Sequence, residues 1–334
     1  MTQQPECTSI VRDKEVRILP LTVEEAIHSS DLGGRGVGDF AVDLIQRHGI
    51  DLEEKDVLVV SSKVATIYEG GQILLADVVP CRKARVLGRM FHKDPRKVQL
   101  VLEQGRVFLV VPLKRITRIS SMRRMLERRS PDPDAMWRGF EKTNNYAFVV
   151  RKFAAYIDEA GIDHTNSPDG YVTVLPSDPC ATAGRIRDAV KRATGREVAV
   201  IITDTVTMAG RLGSQDVAIG YAGIDPITRA TFSKDLFGVP RSGGIDLVID
   251  SIAGIAGLVM GQTIERTPAA LVRGLDYAPQ RDDEMPGMAA VAYPAGSEVR
   301  IALLTLVATL RLYVAQLISC QRGCTRPRRK AVRS

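Results

Sequence analysis

The sequence predicts a globular domain of mixed strands and helices, on three observations. Apolar runs of strand length, residues 56–62 (DVLVVSS) and 197–203 (EVAVIIT), are rich in β-branched residues and read as strands buried on both faces. Other segments carry apolar residues at three- and four-residue steps behind a helix start. Asp178-Pro179, for example, is followed by Ile186, Ala189, Val190 and Ala193 and closed by Gly195. Finally, hydrophobic residues make up 45% and charged residues 25% of the 334, a balance that buries a core and excludes disordered and collagen-like classes.

In chain order, residues 1–14 read as a flexible arm and 16–21 (VRILPL) as the first strand. The glycine-rich stretch 32–39 (LGGRGVGD) lacks the spacing and the preceding strand of a dinucleotide fingerprint, so it reads as a flexible loop before a helix over 40–48. The 56–62 strand ends in Ser61, Ser62 and Lys63, and Gly70-Gly71 marks a turn. Asp94-Pro95 opens a helix to about Glu103, with Val98, Val101 and Leu102 on one face, and 107–113 returns as a strand. Residues 146–157 are extended and apolar, with Tyr146, Phe148, Phe153 and Tyr156 assigned to the core. Residues 244–261 read as a long helix with Ile245, Val248, Ile249, Ile252, Ile255 and Val259 facing inward.

The formal net charge is +7, and it is unevenly placed. Residues 320–334 hold Arg322, Arg326, Arg328, Arg329, Lys330 and Arg333 and no acid, which reads as a basic disordered tail. Residues 114–142 carry nine basic side chains against four acidic ones, leaving the rest of the chain net acidic. Within that stretch Ile119, Met122, Met125 and Leu126 suggest a basic amphipathic helix. Five scattered cysteines argue for reduced thiols, and four histidines without cysteine neighbours argue against a structural zinc site. The chain has no uninterrupted run of 18 apolar residues and no secretory signal at its start, so the expectation is a cytoplasmic location and no membrane partner.

The candidate chemistry sits at strand ends. Asp204, with Thr205 beside it, follows the 197–203 strand, and Asp163 follows another apolar stretch. Two carboxylates with neutral oxygens, Gln262 among them, are the ligand chemistry of a hard ion such as Mg²⁺ or Mn²⁺. An aspartate after a strand also serves as a turn former or helix cap. Ser61, Ser62 and Lys63 offer hydroxyls and an ammonium to anionic oxygens, without a Walker loop. Arg211, Arg241 and Arg266 lie in glycine-containing segments from which a guanidinium could reach a phosphate or carboxylate, and each alone reads equally well as a surface residue. His164 adjoins Asp163, but no serine-histidine-acid set is readable and no catalytic base is assigned.

Six segments, in order, carry a resemblance. DVLVVSSK (56–63), AGIDHTN (160–166), LPSDPCATAGRIR (175–187), IITDT (201–205), RLGSQDVAIGYAGIDP (211–226) and LVMGQ (258–262) together resemble the coenzyme F-420-0:L-glutamate ligases. The resemblance covers roughly residues 15–278 and implies an α+β fold of mixed sheets in two intertwined subdomains, assembled as a homodimer. It implies a ligase-like domain over 15–319, with the basic stretch about 114–145 as an insertion. It implies a nucleotide-dependent ligase, using GTP or ATP, that joins glutamate or another amino acid to a small-molecule carboxylate through an acyl phosphate. Two divalent ions, Mg²⁺ or Mn²⁺, would be held by Asp163, Asp204, Thr205 and Gln262. Nucleotide contacts would fall on Leu19, Pro20, Leu21, Thr22, Ser62, Lys63 and Asn166, and on the run Met260, Gly261, Gln262, Thr263, Ile264, Glu265, Arg266 and Thr267.

The departures from that pattern lie elsewhere. After Thr205 the family's Phe-Gly-Arg-Pro-Trp-Arg is Val206-Thr207-Met208-Ala209-Gly210-Arg211; a second lysine after the SSK strand is Ile67. The Arg-His-Gly before the AGID stretch is Lys152-Phe153-Ala154, and an asparagine there is Glu159. The expectation is therefore a ligase whose acid, amine or both have drifted from the deazaflavin reaction. The competing expectation is a non-catalytic descendant that binds nucleotide or RNA through the insertion and tail; a nucleic-acid partner is otherwise not expected.

Overall fold

A computed structural model of the chain describes residues 15–320 apart from 143, 144, 209, 230, 231, 241, 282–285 and 295. The arm, the basic run after 320 and Arg241 therefore lie outside the described residues. Among the described residues, those up to Val291 form one compact unit, and those from Ala292 form a second.

The first unit begins with β1 (Arg17–Leu21) and α1 (Val37–Arg47). The helix starts three residues before the expected 40, because Gly38 is a packing residue and not loop: a Cβ there would stand 2.6 Å from the Ala189 Cβ. Next come β2 (Val57–Ser61), α2 (Ser62–Tyr68) and β3 (Gln72–Leu74), then α3 (Arg82–Met90) and α4 (Pro95–Gln104). Asp94 caps α4 by accepting from the Arg96 N–H at 2.8 Å, as Asp-Pro predicts.

The expected 107–113 strand is shorter, β4 (Val107–Val111), since Pro112 ends it. Three helices follow, α5 (Leu113–Thr117), α6 (Ser120–Glu127) and α7 (Pro133–Lys142), and α6 is the expected basic amphipathic helix. Ile119 stands outside α6 as its N-cap residue and is exposed, while Trp137 Nε1 donates to Glu127 at 3.0 Å and ties α7 to α6.

The extended stretch 146–157 is two strands, β5 (Ala147–Lys152) and β6 (Ala155–Asp158). Phe153 and Ala154 turn between them with φ 51° and 60°, left-handed values that a two-residue hairpin requires and that glycine or asparagine meets at lower cost. The hairpin leaves Tyr156 exposed, against the core assignment, whereas Phe148 is fully buried.

The unit closes with β7 (Tyr171–Thr173), α8 (Pro179–Thr194), β8 (Ala199–Thr207), β9 (Ser214–Ala222), α9 (Val248–Met260) and β10 (Ala269–Arg273). Ala193 is exposed, so the stripe of α8 runs instead through Ala183, Ile186 and Val190. α9 is shorter than the expected 244–261 helix, and Ile245 lies outside it, exposed.

Strand order in the main sheet is β1-β10-β2-β8-β9, antiparallel except for the parallel β2–β8 pair. Side-chain alternation divides its core: Leu58, Val60, Val200 and Ile202 pack under α1, α2 and α8, while Val57, Val59, Ala199 and Ile201 pack under α9. The chain leaves this sheet after α2 and returns at β8. Between lie the β3–β7 pair and the β4-β5-β6 sheet, with a third core around Val98, Val101, Phe148 and Val150. This is an α+β fold with mixed sheets, as expected.

The second unit carries α10 (Ser297–Cys320), a helix absent from the sequence reading. Its span Val299–Gln316 is long and apolar enough to cross a membrane although Arg300, Thr305, Thr309, Arg311 and Gln316 interrupt it. The criterion of an uninterrupted run was too strict to register it.

Candidate active site

The parallel pair builds the site. β2 ends at Ser61, opposite Thr203, but β8 continues to Thr207, so Asp204 and Thr205 lie within a strand yet past the end of their parallel neighbour. The expected 197–203 strand thus starts two residues early and ends four residues early. The β8–β9 register also shifts between Ile202 and Thr203, a bulge that re-aims the strand where the acid follows.

Consecutive strand residues point to opposite faces, and the two site residues meet different elements accordingly. Asp204 Oδ1 accepts from Ser62 Oγ, the first residue of α2, at 2.9 Å. Thr205 Oγ1 lies 2.8 Å from Gln262 Oε1, just past the end of α9, and 3.1 Å from Asp216 Oδ1 on β9. Gln262 Nε2 donates to both Asp216 oxygens at 3.0 and 3.1 Å.

Asp216 was not singled out from sequence. Its signal was the hairpin: with glycines 210 and 213 as the turn, an antiparallel return places residue 216 opposite 205, the register the structure shows. Gly257 of α9 was missed too. A Cβ there would stand 1.8 Å from Asp216 Oδ2, so only glycine leaves room for the carboxylate.

Asp163 occupies another wall. It pairs with Thr173 in an isolated bridge, Lys63 Nζ donates to its Oδ2 at 2.6 Å, and Lys63 also reaches the Thr165 carbonyl at 2.6 Å. The Thr165 N–H donates to Asp163 Oδ1 at 2.8 Å. Asn166, at φ 54°, donates through Nδ2 to the Thr263 carbonyl at 2.9 Å and links this segment to the one after α9.

Glu159, a departure from the family pattern, has its own partner: Lys93, fully buried, donates to Glu159 Oε1 at 2.8 Å and to the Tyr146 carbonyl at 2.9 Å. The Phe148 N–H adds a second bond to the same carboxylate at 2.9 Å. The pair fixes the base of the segment that carries Asp163.

The walls differ electrostatically. Burial pushes Asp204 up to about 6, with Ser62 and the Thr205 N–H opposing and Asp216 adding to the rise. Burial also raises Asp216, against the hydrogen bonds from Thr205 and Gln262. Burial acts on Asp163 as well, yet the Lys63 hydrogen bond and charge with the Thr165 N–H together hold its carboxyl below the usual range.

All these groups open on one cleft of about 1160 Å³. Ser62, Lys63, Asp163, Asn166, Asp204, Thr205, Asp216 and the whole run Met260–Thr267 line it. Arg266 is held there by donating to the Glu24 carbonyl at 2.6 Å. Leu19, Pro20, Leu21 and Thr22 do not line it. Leu21 is fully buried in the core, the Thr22 N–H donates to His48 Nε2 at 3.1 Å, and the wall nearby is Val23 and Glu25–His28. Arg211 and His164 are likewise outside the lining.

Among the described residues no three His, Cys, Asp or Glu side chains converge into a metal cage. The oxygens joined in one cluster are those of Thr205, Asp216 and Gln262, while Asp204, bonded to Ser62, lines the same cleft; carboxylate, hydroxyl and amide oxygens are donors suited to a hard divalent ion.

The fold and cleft define an α+β enzyme with an acid-lined site at the end of a parallel strand pair. The profile of the F420-0:gamma-glutamyl ligase family matches residues 33–274, and the chain belongs to that family of ligases. It is 32% identical over 262 residues to the coenzyme F420:L-glutamate ligase of Methanopyrus kandleri, covering 78% of this chain and 87% of that protein. The Methanothermobacter thermautotrophicus ligase of that name is 31% identical over 252 residues (74% and 88%), and the Methanosarcina mazei one 30% over 229 (68% and 77%).

Proposed function

We propose that this chain is a nucleotide-dependent ligase that adds glutamate to a small-molecule carboxylate, with a deazaflavin coenzyme precursor as the reference acid. The observation that carries the reading is the convergence of Lys63, the Asp204–Thr205–Asp216–Gln262 oxygens and the Met260–Thr267 run on one cleft.

A carboxylate is a poor acyl donor, so the acid first attacks the γ-phosphorus of GTP or ATP, giving an acyl phosphate and the nucleoside diphosphate. The glutamate amine then attacks the acyl carbon; the C–O bond to phosphate breaks, inorganic phosphate leaves, and the ammonium proton passes to solvent. Lys63, positioned by Asp163 and the Thr165 carbonyl, supplies an ammonium to phosphate oxygens, and the Met260–Thr267 run lies along the nucleotide. Asp163, Asp204, Thr205 and Gln262 would hold the divalent ions, with Asp216 joining them. When bound, those ions supply positive charge to the phosphate oxygens. The two raised acids support this assignment, because their partners are neutral hydroxyl and amide groups. Most of the acceleration comes from positioning and charge complementarity.

A homodimer is part of the proposal. Phe232, Leu236, Phe237 and Val239 stand exposed in one loop region, an apolar patch that a second copy would cover.

The test is phosphate release from GTP or ATP with Mg²⁺ or Mn²⁺ across a panel of acids and amino acids, glutamate first. The expected result is release that needs both acid and amine, with an amide product detected by mass. No nucleotide binding and no amide with any pair would overturn the reading.

A further inference from the structure

α10 has no polar face. Leu303, Leu304, Leu306, Leu310, Tyr313 and Val314 are each between 54% and 62% exposed, and no residue of Val299–Gln316 is buried. At about 100° per residue, Arg300 and Arg311 share one narrow stripe, and Thr305, Thr309 and Gln316 share another on the opposite side. Two apolar faces remain between the stripes, and water is a poor solvent for both. Thr309 Oγ1 donates to the Thr305 carbonyl at 2.7 Å, a bond within the helix that a hydroxyl can keep in hydrocarbon.

A second copy of the helix would solve half of this. Val299, Leu303, Leu306, Leu310 and Tyr313 follow alternating four- and three-residue steps and could pack as a seam. That leaves Ile301, Leu304, Ala308 and Leu312 on the other face in water, where a soluble two-stranded coil places charge. Hydrocarbon covers both faces. The helix spans about 36 Å over its 24 residues, enough for a hydrocarbon layer of about 30 Å. The sequence beyond it fits the same surface: Arg322, Arg326, Arg328, Arg329, Lys330 and Arg333 come without an acid, complementary to anionic headgroups. Long arginine side chains such as Arg300 and Arg311 bury their stems and carry their charge toward those headgroups.

We propose that α10 inserts into a lipid bilayer that carries anionic headgroups, anchoring the ligase unit to a membrane surface. The inference stands on the second unit alone and does not depend on the reaction assigned to the cleft.

The test is flotation of the full chain with vesicles of phosphatidylcholine and phosphatidylglycerol at about 3:1, against phosphatidylcholine alone. The wild type is expected to float with the mixed vesicles, to stay bound after a wash at about 1 M salt and after alkaline extraction, and to bind neutral vesicles about tenfold less. A Leu303→Glu/Leu310→Glu variant, altered only at exposed positions far in sequence from the cleft, should lose at least about tenfold of this binding while its nucleotide binding is unchanged.

Three results would overturn the proposal. Wild type that stays with the soluble fraction in both mixtures is one. Binding that salt abolishes and the double variant leaves intact is another, because it would belong to the basic run alone. The third is a discrete oligomer, or an RNA complex, lost in the variant without any flotation.

Discussion

Two walls of the cleft treat their carboxylates oppositely: Asp163 and Asp216 are comparably buried, Asp204 more deeply, and burial works against the charged form of all three. On one, Asp163 already has its cation, Lys63, and its carboxyl sits below the usual range. On the other, the side-chain hydrogen-bond partners of Asp204 and Asp216 among the described residues are Ser62, Thr205 and Gln262, and burial drives both upward. The lesson is that acid identity alone does not mark a cation site. The acids whose side-chain hydrogen-bond partners are neutral are the ones left with charge to share, although Lys63 also acts on Asp204 through its charge, and they lie around the point where β8 outruns β2.

The largest expected effect breaks the second wall. Asp204→Asn should lower turnover at least about 100-fold, read as phosphate release and amide formation. The same change should stabilise the ion-free protein. A folded carboxyl at about 6 against 3.8 unfolded binds more protons folded than unfolded, so its stability cost grows as pH rises from about 4 to 6 and is fully present above. By that linkage Asp204→Asn gains about 2–3 kcal/mol at pH 7.5 in chelator, shrinking toward pH 4, checked by denaturant melts at several pH values.

Next comes the base of the first wall. Glu159→Ala leaves Lys93 buried without a counter-charge and should cost about 3–5 kcal/mol in the same melts. A smaller cost would show that the segment carrying Asp163 is held mainly by its bridge to Thr173. Gly257→Ala sharpens the comparison from the helix side. It should displace Asp216 and weaken Mn²⁺ binding about tenfold by calorimetry, even though alanine is the better helix former by about 1 kcal/mol. The smallest effect tests the hairpin that leads into the first wall: Ala154→Gly, at φ 60°, should raise stability by about 1 kcal/mol and leave turnover unchanged.

Much of this was legible in sequence where chemistry and periodicity coincide. The buried strands 57–61 and 199–207 announced themselves as β-branched runs, and Asp94 and Asp178 marked helix starts through their following prolines. Ser62, Lys63, Asp163, Asn166, Asp204, Thr205 and the 260–267 run were all readable, and the fold brings them to one cleft. What was not legible depended on pairing. Asp216 becomes visible only once the register opposite Thr205 is known, and Gly257 only once α9 packs on β9. Glu159 read as a loss because its partner, Lys93, is 66 residues away. The turn at Phe153-Ala154 carries none of the residues that normally declare one, so two strands read as one.

The most direct measurement is a Mn²⁺ titration of the full chain by electron paramagnetic resonance, with and without GTP, in the wild type and in Asp204→Asn. If Asp204 holds a divalent ion beneath the nucleotide, the wild type binds Mn²⁺ saturably and more tightly with GTP, and Asp204→Asn weakens that binding at least about tenfold. Equal Mn²⁺ binding in the two proteins would contradict that assignment.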